Sequence, residues 1–391
     1  MLKPFKGLPK PFCWRIDIVS LYGGPEFAIA ELAMTAFWRG RRVLVTGHTG
    51  FKGAWLCLWL ERLGATVSGL ALAPQTEPSL YELLSPWPKQ SHRTIDIRNV
   101  LELQNAVRDA APEVIFHLAA QSLVRTSYRD PLETFATNVM GTLHVLLAAR
   151  DVPGVKAVVV ATTDKVYEND SSGKAFHEHD PLGGKDPYSA SKACAELLTF
   201  SFRESFLRGR RPAVATVRAG NVIGGGDWSD DRLVPDVVRA VSKGQKVALR
   251  YPHAVRPWQH VLDPLSGYLV LAEQLVSNPA DMPGALNFGP DSGHWLTVAQ
   301  VADVVSQALG AGSSWELAPG KPLPEAATLT LSSDLAKDAL GWAPKLSMRE
   351  TVSWTADWYK AHRSGRDMRA ATLDQIARYE KINVDKLLTC Q

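Results

Sequence analysis

From residue 42 onwards, short runs of β-branched and aliphatic residues alternate with longer, mainly apolar stretches. Strand-like runs occupy 42–46, 66–72, 94–98, 114–121, 158–161 and 214–217, and helix-like stretches occupy 54–63, 100–111, 131–149 and 188–207. Strands apolar on both faces and separated by helices predict a parallel sheet covered on both sides. The expected fold is α/β, a Rossmann-like doubly wound parallel sheet with a smaller C-terminal α/β domain. The pattern divides the chain into an extension over 1–36, a first domain over 37–218, a second region over 219–362 and a polar helical tail over 363–391. The second region alternates helices with short strands, some expected to return to the first sheet. Met34 precedes the first convincing strand, so the segment before it reads as loosely attached or not native.

Composition changes this picture little. Of 391 residues, 46% are hydrophobic and 21% charged, which is ordinary for a globular protein. A net charge of +3 argues for neither a nucleic acid nor a membrane partner. The extension is too interrupted for a signal peptide or a membrane span. Four scattered cysteines suggest neither a metal site nor a disulfide framework, and fit a reducing, cytoplasmic setting.

The first strand passes into Gly47-His48-Thr49-Gly50-Phe51-Lys52-Gly53 and then into an apolar helix. In that context backbone N–H groups and the helix amino end cradle a pyrophosphate. A side chain at Gly47 or Gly50 would stand between backbone and phosphate. The second strand lacks the terminal acid that grips an adenosine ribose, since Leu70, Ala71 and Leu72 fill the place. Asp96 has two readings, contact with an adenine amino group or N-cap of the next helix. Leu118-Ala119-Ala120-Gln121 is small where a cofactor would pass, and His117 reads as a packed strand residue. Asn138 reads as a bridge between backbone groups beside the following strand.

The densest chemistry lies between Val158 and Lys192. Thr163, Asp164 and Lys165 fall at a strand end, while Tyr188 and Lys192, four apart, share a helix face. Phenol titrates near pH 10, and lowering it by about three units needs roughly 4 kcal/mol. A neighbouring ammonium and a cationic nicotinamide together can supply that. A hydroxyl proton could then leave to Tyr188 as hydride leaves its carbon. Asp164 and Lys165 add an acid and a base beyond this step, although a salt bridge is the structural alternative. Once carbon 4 of a hexose is a ketone, the hydrogen on carbon 5 is acidic and the carbon 6 hydroxyl can depart. Downstream, Arg218 to Trp228 is a glycine-rich loop at a strand end. Arg232, Arg250 and Arg256, with interleaved aromatics, suit a phosphate-bearing ligand with a flat base.

These motifs, with Arg256-Pro257-Trp258-Gln259-His260-Val261, resemble the CDP-glucose 4,6-dehydratases, a branch of the extended short-chain dehydrogenase/reductase family. The resemblance runs from about Phe37 to the C-terminal tail. It implies NAD as cofactor and CDP-glucose as substrate, held by the first domain and mainly by the second. It also implies a homodimer or homotetramer built on helix pairing, with products for surface polysaccharide. By resemblance, Thr163 orients the carbon 4 hydroxyl, Asp164 is the acid at carbon 6, Tyr188 the carbon 4 base and Lys192 its partner. The dTDP-glucose enzymes have Glu where this chain has Lys165, and a neutral Lys165 would need its pKa lowered by several units. NAD contacts are expected from Gly47, Thr49, Gly50, Phe51, Lys52, Gly53, Asp96, Ile97, Leu118, Ala119, Ala120, Gln121, Thr137, Tyr188 and Lys192. Substrate contacts are expected from Arg125, Asn221, Trp228, Arg232, Leu233, Arg250, Arg256 and His260. The nearest alternative is a dehydratase or 4-epimerase acting on another nucleotide sugar. A non-catalytic NAD(P)-binding regulatory protein is a remote one.

Overall fold

The structure is a computed structural model and describes residues 36–88, 91–169, 172–291, 295–312, 315–320 and 328–388, with side chains as far as 382. All but the last residue of the extension at 1–36 lies outside them. Seven strands form one sheet: β1 (Arg42–Thr46), β2 (Thr66–Ala71), β3 (His92–Thr94), β4 (Val114–His117), β5 (Ala157–Ala161), β6 (Ala213–Ala219) and β7 (Ala285–Phe288). Their order is β7-β6-β5-β4-β1-β2-β3, and every pairing is parallel. The direction of winding reverses between β1 and β4, the crevice where such sheets bind ligands. β7, from the second region, completes the sheet beside β6.

Helix α1 (Phe51–Arg62) buries every residue from Gly53 to Leu60, because the sheet covers one side and later segments the other. The C-terminal helix α2 (Met368–Leu388) supplies part of that cover. It is a docked element, not the bare polar tail expected: Ile376 and Tyr379 are fully buried. Trp59 donates from Nε1 to Glu380 at 2.9 Å, and Arg369 pairs with Glu61 at 2.7 Å.

Two predicted elements differ in outline. The strand expected at 94–98 stops at Thr94, because Asp96 turns to bind Arg98. The helix expected at 131–149 is interrupted by a π-turn at Ala136–Met140, a distortion common near functional sites. Asn138 sits within it. Among the described residues no helix is long and apolar enough to cross a membrane.

Candidate active site

The apolar core of β5 ends at Ala161, and the chain then turns through a short 3-10 segment, Asp164–Val166. Thr163 caps it, accepting from Lys165 N and donating to Asp164 Oδ1 at 3.0 Å. Asp164 is only 1% exposed, and its Oδ2 has no hydrogen-bond partner among the described residues. Lys165 lies 3.7 Å from Oδ1 and reaches solvent. A buried carboxylate with one oxygen spent and one free is the arrangement expected of a group that serves a ligand.

The helix Pro187–Phe202 starts where Asp186 accepts from Ser189 N at 3.0 Å and Pro187 takes the first helical position. Tyr188 and Lys192 consequently point to the end of β5. Lys192 donates to Ala161 O at 3.0 Å, and Ser127 Oγ accepts from Tyr188 N at 3.1 Å. Burial pushes the phenol up to about 12, with the Thr163 hydrogen bond pulling it back. Within the chain alone, loss of water outweighs every nearby charge; the lowering expected above was that of Lys192 together with a cationic nicotinamide. Burial brings Lys192 down to about 8, with Glu196 opposing.

Beside them the turn after β1 makes a cradle set by close backbone contact. Gly47 has φ +76, and a Cβ there would lie 2.6 Å from Ala119 N. A Cβ on Gly53 would lie 2.1 Å from Gly47 O. At Gly50 the chain itself leaves room: the nearest atom to a Cβ would be Gly47 O at 3.4 Å. Leu118 N and Ala119 N are tied to Thr46, and Asn138 holds Gln121 through both its backbone groups, at 2.9 and 3.0 Å. Those two bonds are the bridge between backbone groups expected of Asn138, and the same amide also donates to Ser191 Oγ at 2.9 Å. His117 is packed between the Thr46 and Thr142 hydroxyls, and burial holds it neutral. Ala120 lies in this segment, and Thr137 is half-buried within the π-turn.

Other expected cofactor contacts fall differently. Ile97 is a core residue: it is 4% exposed, packs where a Cβ on Gly141 would sit, and its carbonyl meets His144. Asp96 is not the helix N-cap, which is Asn99; Arg98 grips its carboxylate at 2.6 Å and lowers its pKa. Thr49 spends its hydroxyl on Leu72 O at 2.9 Å, and Phe51 packs towards Gly224. Lys52 is half-buried, and burial, with Arg232 next, brings it down to about 7 while Asp164 opposes.

The expected substrate residues divide into three settings. Arg125 and Arg250 converge on Asp231, at 2.5 and 3.7 Å, while Arg232 donates to Ser122 at 3.2 Å and lies 3.8 Å from Asp227. Leu233 begins the next helix. Asn221 Oδ1 and Trp228 Nε1 are buried without hydrogen-bond partners among the described residues, and Trp228 packs edge-on to Tyr359. Arg256 is buried and donates to Val255 O. His260, by contrast, has no exposed surface and sits between Trp55 and Trp354, with burial driving it down to about 3. Its place is a packing one.

Sequence reasoning missed the buried pair under β5, where Glu196 binds Arg218 at 2.8 Å. Its signal was available: an acid one turn after Lys192 on an apolar helix, and an arginine inside an apolar strand. Surface concavities of about 450 and 410 Å³ open elsewhere, near Phe206 and Phe200.

The sequence model of the NAD dependent epimerase/dehydratase family matches residues 43–289. The chain is 45% identical over 351 residues to the CDP-glucose 4,6-dehydratase of Salmonella typhimurium, spanning 88% of this chain and 97% of that protein. Among solved structures it is similar to a double mutant of DesIV, the dTDP-glucose 4,6-dehydratase of Streptomyces venezuelae, with NAD bound. That match has a TM-score of 0.71 at 25% identity and covers 84% of this chain and 99% of the other. The UDP-glucose 4-epimerase of Thermus thermophilus in complex with NAD matches with a TM-score of 0.69 at 29% identity, over 82% and 99%.

Proposed function

This chain belongs to the NAD dependent epimerase/dehydratase family, and we propose that it converts CDP-D-glucose to CDP-4-dehydro-6-deoxy-D-glucose and water. The observation that carries the reading is Asp164, buried beside Tyr188 with one oxygen unpartnered. An epimerase needs a phenol and an ammonium; a dehydratase also needs a proton donor at the departing hydroxyl.

The cofactor is NAD, and the glycine cradle fits it: Gly47 and Gly53 admit no side chain, and Gly50 leaves an approach open. The chemistry NAD supplies when bound is removal of a hydride from carbon 4 and its return at carbon 6. Tyr188 takes the carbon 4 hydroxyl proton, and Thr163 orients that hydroxyl. Lys192, fixed on Ala161 O, holds a positive charge beside the developing phenolate. Asp164 gives a proton to the carbon 6 oxygen as it leaves. Arg125, Arg232 and Arg250 gather cationic donors where the nucleotide phosphates would lie.

The working unit is a homodimer or homotetramer. Leu132, Phe135, Met140, Leu197, Phe200 and Phe206 are large apolar side chains exposed along the catalytic helix and the helix beside it. A self-complementary apolar face of this kind suits a second copy. The exposed free thiol of Cys194 suits a reducing cytoplasm, where the product would feed deoxysugar assembly for surface polysaccharide.

Purified protein with NAD is offered CDP-glucose, dTDP-glucose and GDP-sugars, following mass and alkaline absorbance. Loss of one water from CDP-glucose is expected. A product of unchanged mass, epimerised at carbon 4, would overturn the dehydratase reading.

A further inference from the structure

Two guanidinium groups from distant parts of the chain meet on one carboxylate oxygen. Arg125, in the short helix Val124–Arg129, lies 2.5 Å from Asp231 Oδ1. Arg250, just after the strand Val247–Leu249, lies 3.7 Å from the same atom. Like charges brought together need an anion between them. Asp231 supplies it from a left-handed backbone, φ +59, which residues other than glycine adopt infrequently. The loop before it is held elsewhere: Arg239 lies 3.4 Å from Asp230 and donates to the carbonyls of Trp228 and Ser229.

We propose that Asp231 stands in for the substrate's diphosphate between Arg125 and Arg250 and is displaced when the nucleotide sugar binds. The inference rests on reading these arginines as donors to the nucleotide phosphates. All three side chains reach solvent, so a ligand can arrive without opening the core. Exposed pairs of this kind are weak, favouring the paired state by only about 2–5-fold. A diphosphate brings one negative charge for each guanidinium and more acceptor oxygens than one carboxylate, so it wins the exchange. The share of molecules in which Asp231 already holds the arginines lowers the apparent affinity by a matching factor. Asp231 thereby sets how tightly substrate is held and how readily product leaves.

The test titrates CDP and, separately, inorganic pyrophosphate into the NAD-loaded protein by calorimetry. It compares wild type with Asp231→Asn, Asp230→Asn, Arg125→Gln and the double variant Arg125→Gln with Asp231→Asn. Asparagine is the replacement because it tolerates the left-handed backbone and keeps the side chain's shape without its charge. Asp231→Asn should bind both ligands about 2–5-fold more tightly, and Asp230→Asn should bind them as wild type does. Arg125→Gln should weaken CDP binding, and adding Asp231→Asn to it should gain less than the same change gains in wild type.

Unchanged or weaker CDP binding in Asp231→Asn would overturn the proposal, because the carboxylate would not be competing for the arginines. An equal gain from Asp230→Asn, or an undiminished one in the Arg125→Gln background, would overturn it too, leaving only a general effect of charge. Wild-type CDP affinity in Arg125→Gln would remove the phosphate reading of the arginines and this inference with it. Water loss from CDP-glucose decides the dehydratase reading separately. Tighter CDP binding by Asp231→Asn, in a protein whose wild type releases no water, would leave this inference standing and the dehydratase reading overturned.

Discussion

Glu196 and Arg218 face each other through two parallel hydrogen bonds, Nε to Oε1 at 3.0 Å and Nη2 to Oε2 at 2.8 Å. Both side chains are nearly inaccessible. The Thr162 hydroxyl donates to the same carboxylate, and so does Thr216 at 2.6 Å. One buried pair thereby joins the helix Pro187–Phe202, the end of β5 and β6. Arg218 extends the join by donating to Tyr167 at 2.8 Å, whose hydroxyl meets Asn287 on β7.

Removing one partner of such a pair strands the other as an uncompensated charge. Glu196→Ala should cost about 3–5 kcal/mol of stability, read from denaturant midpoints. Replacing both residues together, Glu196→Gln with Arg218→Met, should cost clearly less than the single change. A double variant no more stable than the single one would mean that the charges are not what holds these elements together.

Asp164→Asn keeps the side chain's shape and removes the proton. Water loss should fall by on the order of 100-fold or more while the first oxidation changes little. Single-turnover absorbance of reduced nicotinamide, compared with product mass, separates the two steps. An equal loss in both would make Asp164 a structural residue.

The pH dependence follows from Lys192. Its pKa is brought down to about 8, so it is a cation below that value and neutral above it. Tyr188 is pushed up to about 12 by burial, with the Thr163 hydrogen bond and Arg232 pulling it back, and a further cation beside it favours the phenolate. The first oxidation should therefore slow as pH rises through about 8, in stopped-flow measurements with saturating substrate. Lys192→Met should remove this limb together with most of the rate.

Much of this organisation was legible in the chain because it rests on local pattern. Apolar runs fixed the strands, the glycine turn fixed the cradle, and four-residue spacing put Tyr188 and Lys192 together. Asn138 could be read because an amide inside an apolar helix needs partners. What escaped depends on distant segments. Ile97 and His260 look like loop and motif residues, yet both are enclosed by elements far away in sequence. The C-terminal helix has too weak an apolar stripe to announce that it covers α1. The rise of the Tyr188 pKa reflects burial by the whole fold, which no spacing records.

The exposed apolar face makes its own demand. Leu197 and Phe200 are 58% and 57% exposed on the helix Pro187–Phe202. Phe200→Glu combined with Leu197→Glu should shift the protein from dimer or tetramer to monomer in light scattering, without loss of helix content. A wild type already monomeric at micromolar concentration would rule out pairing through this face.

Asp263 links the C-terminal helix to the body of the protein. Tyr379 donates to its Oδ1 at 2.8 Å, and Lys345 N donates to the same oxygen at 2.8 Å. Burial raises this carboxyl to about 6, above its ordinary value of 3.8. The folded state therefore holds a proton there that the unfolded chain lacks between those values, and ionised Asp263 costs stability most fully above pH 6. A donor to the charged form matters most where that form prevails. Tyr379→Phe should thus lose about 1.5–3 kcal/mol at pH 7, the range for a hydrogen bond to a charged group, and less at pH 5. Denaturant midpoints of both proteins at the two pH values decide it. Equal losses would mean that the phenol contributes through its 3.0 Å hydrogen bond with Ser266 and not through Asp263, because only the Asp263 bond is sensitive to that carboxyl's charge.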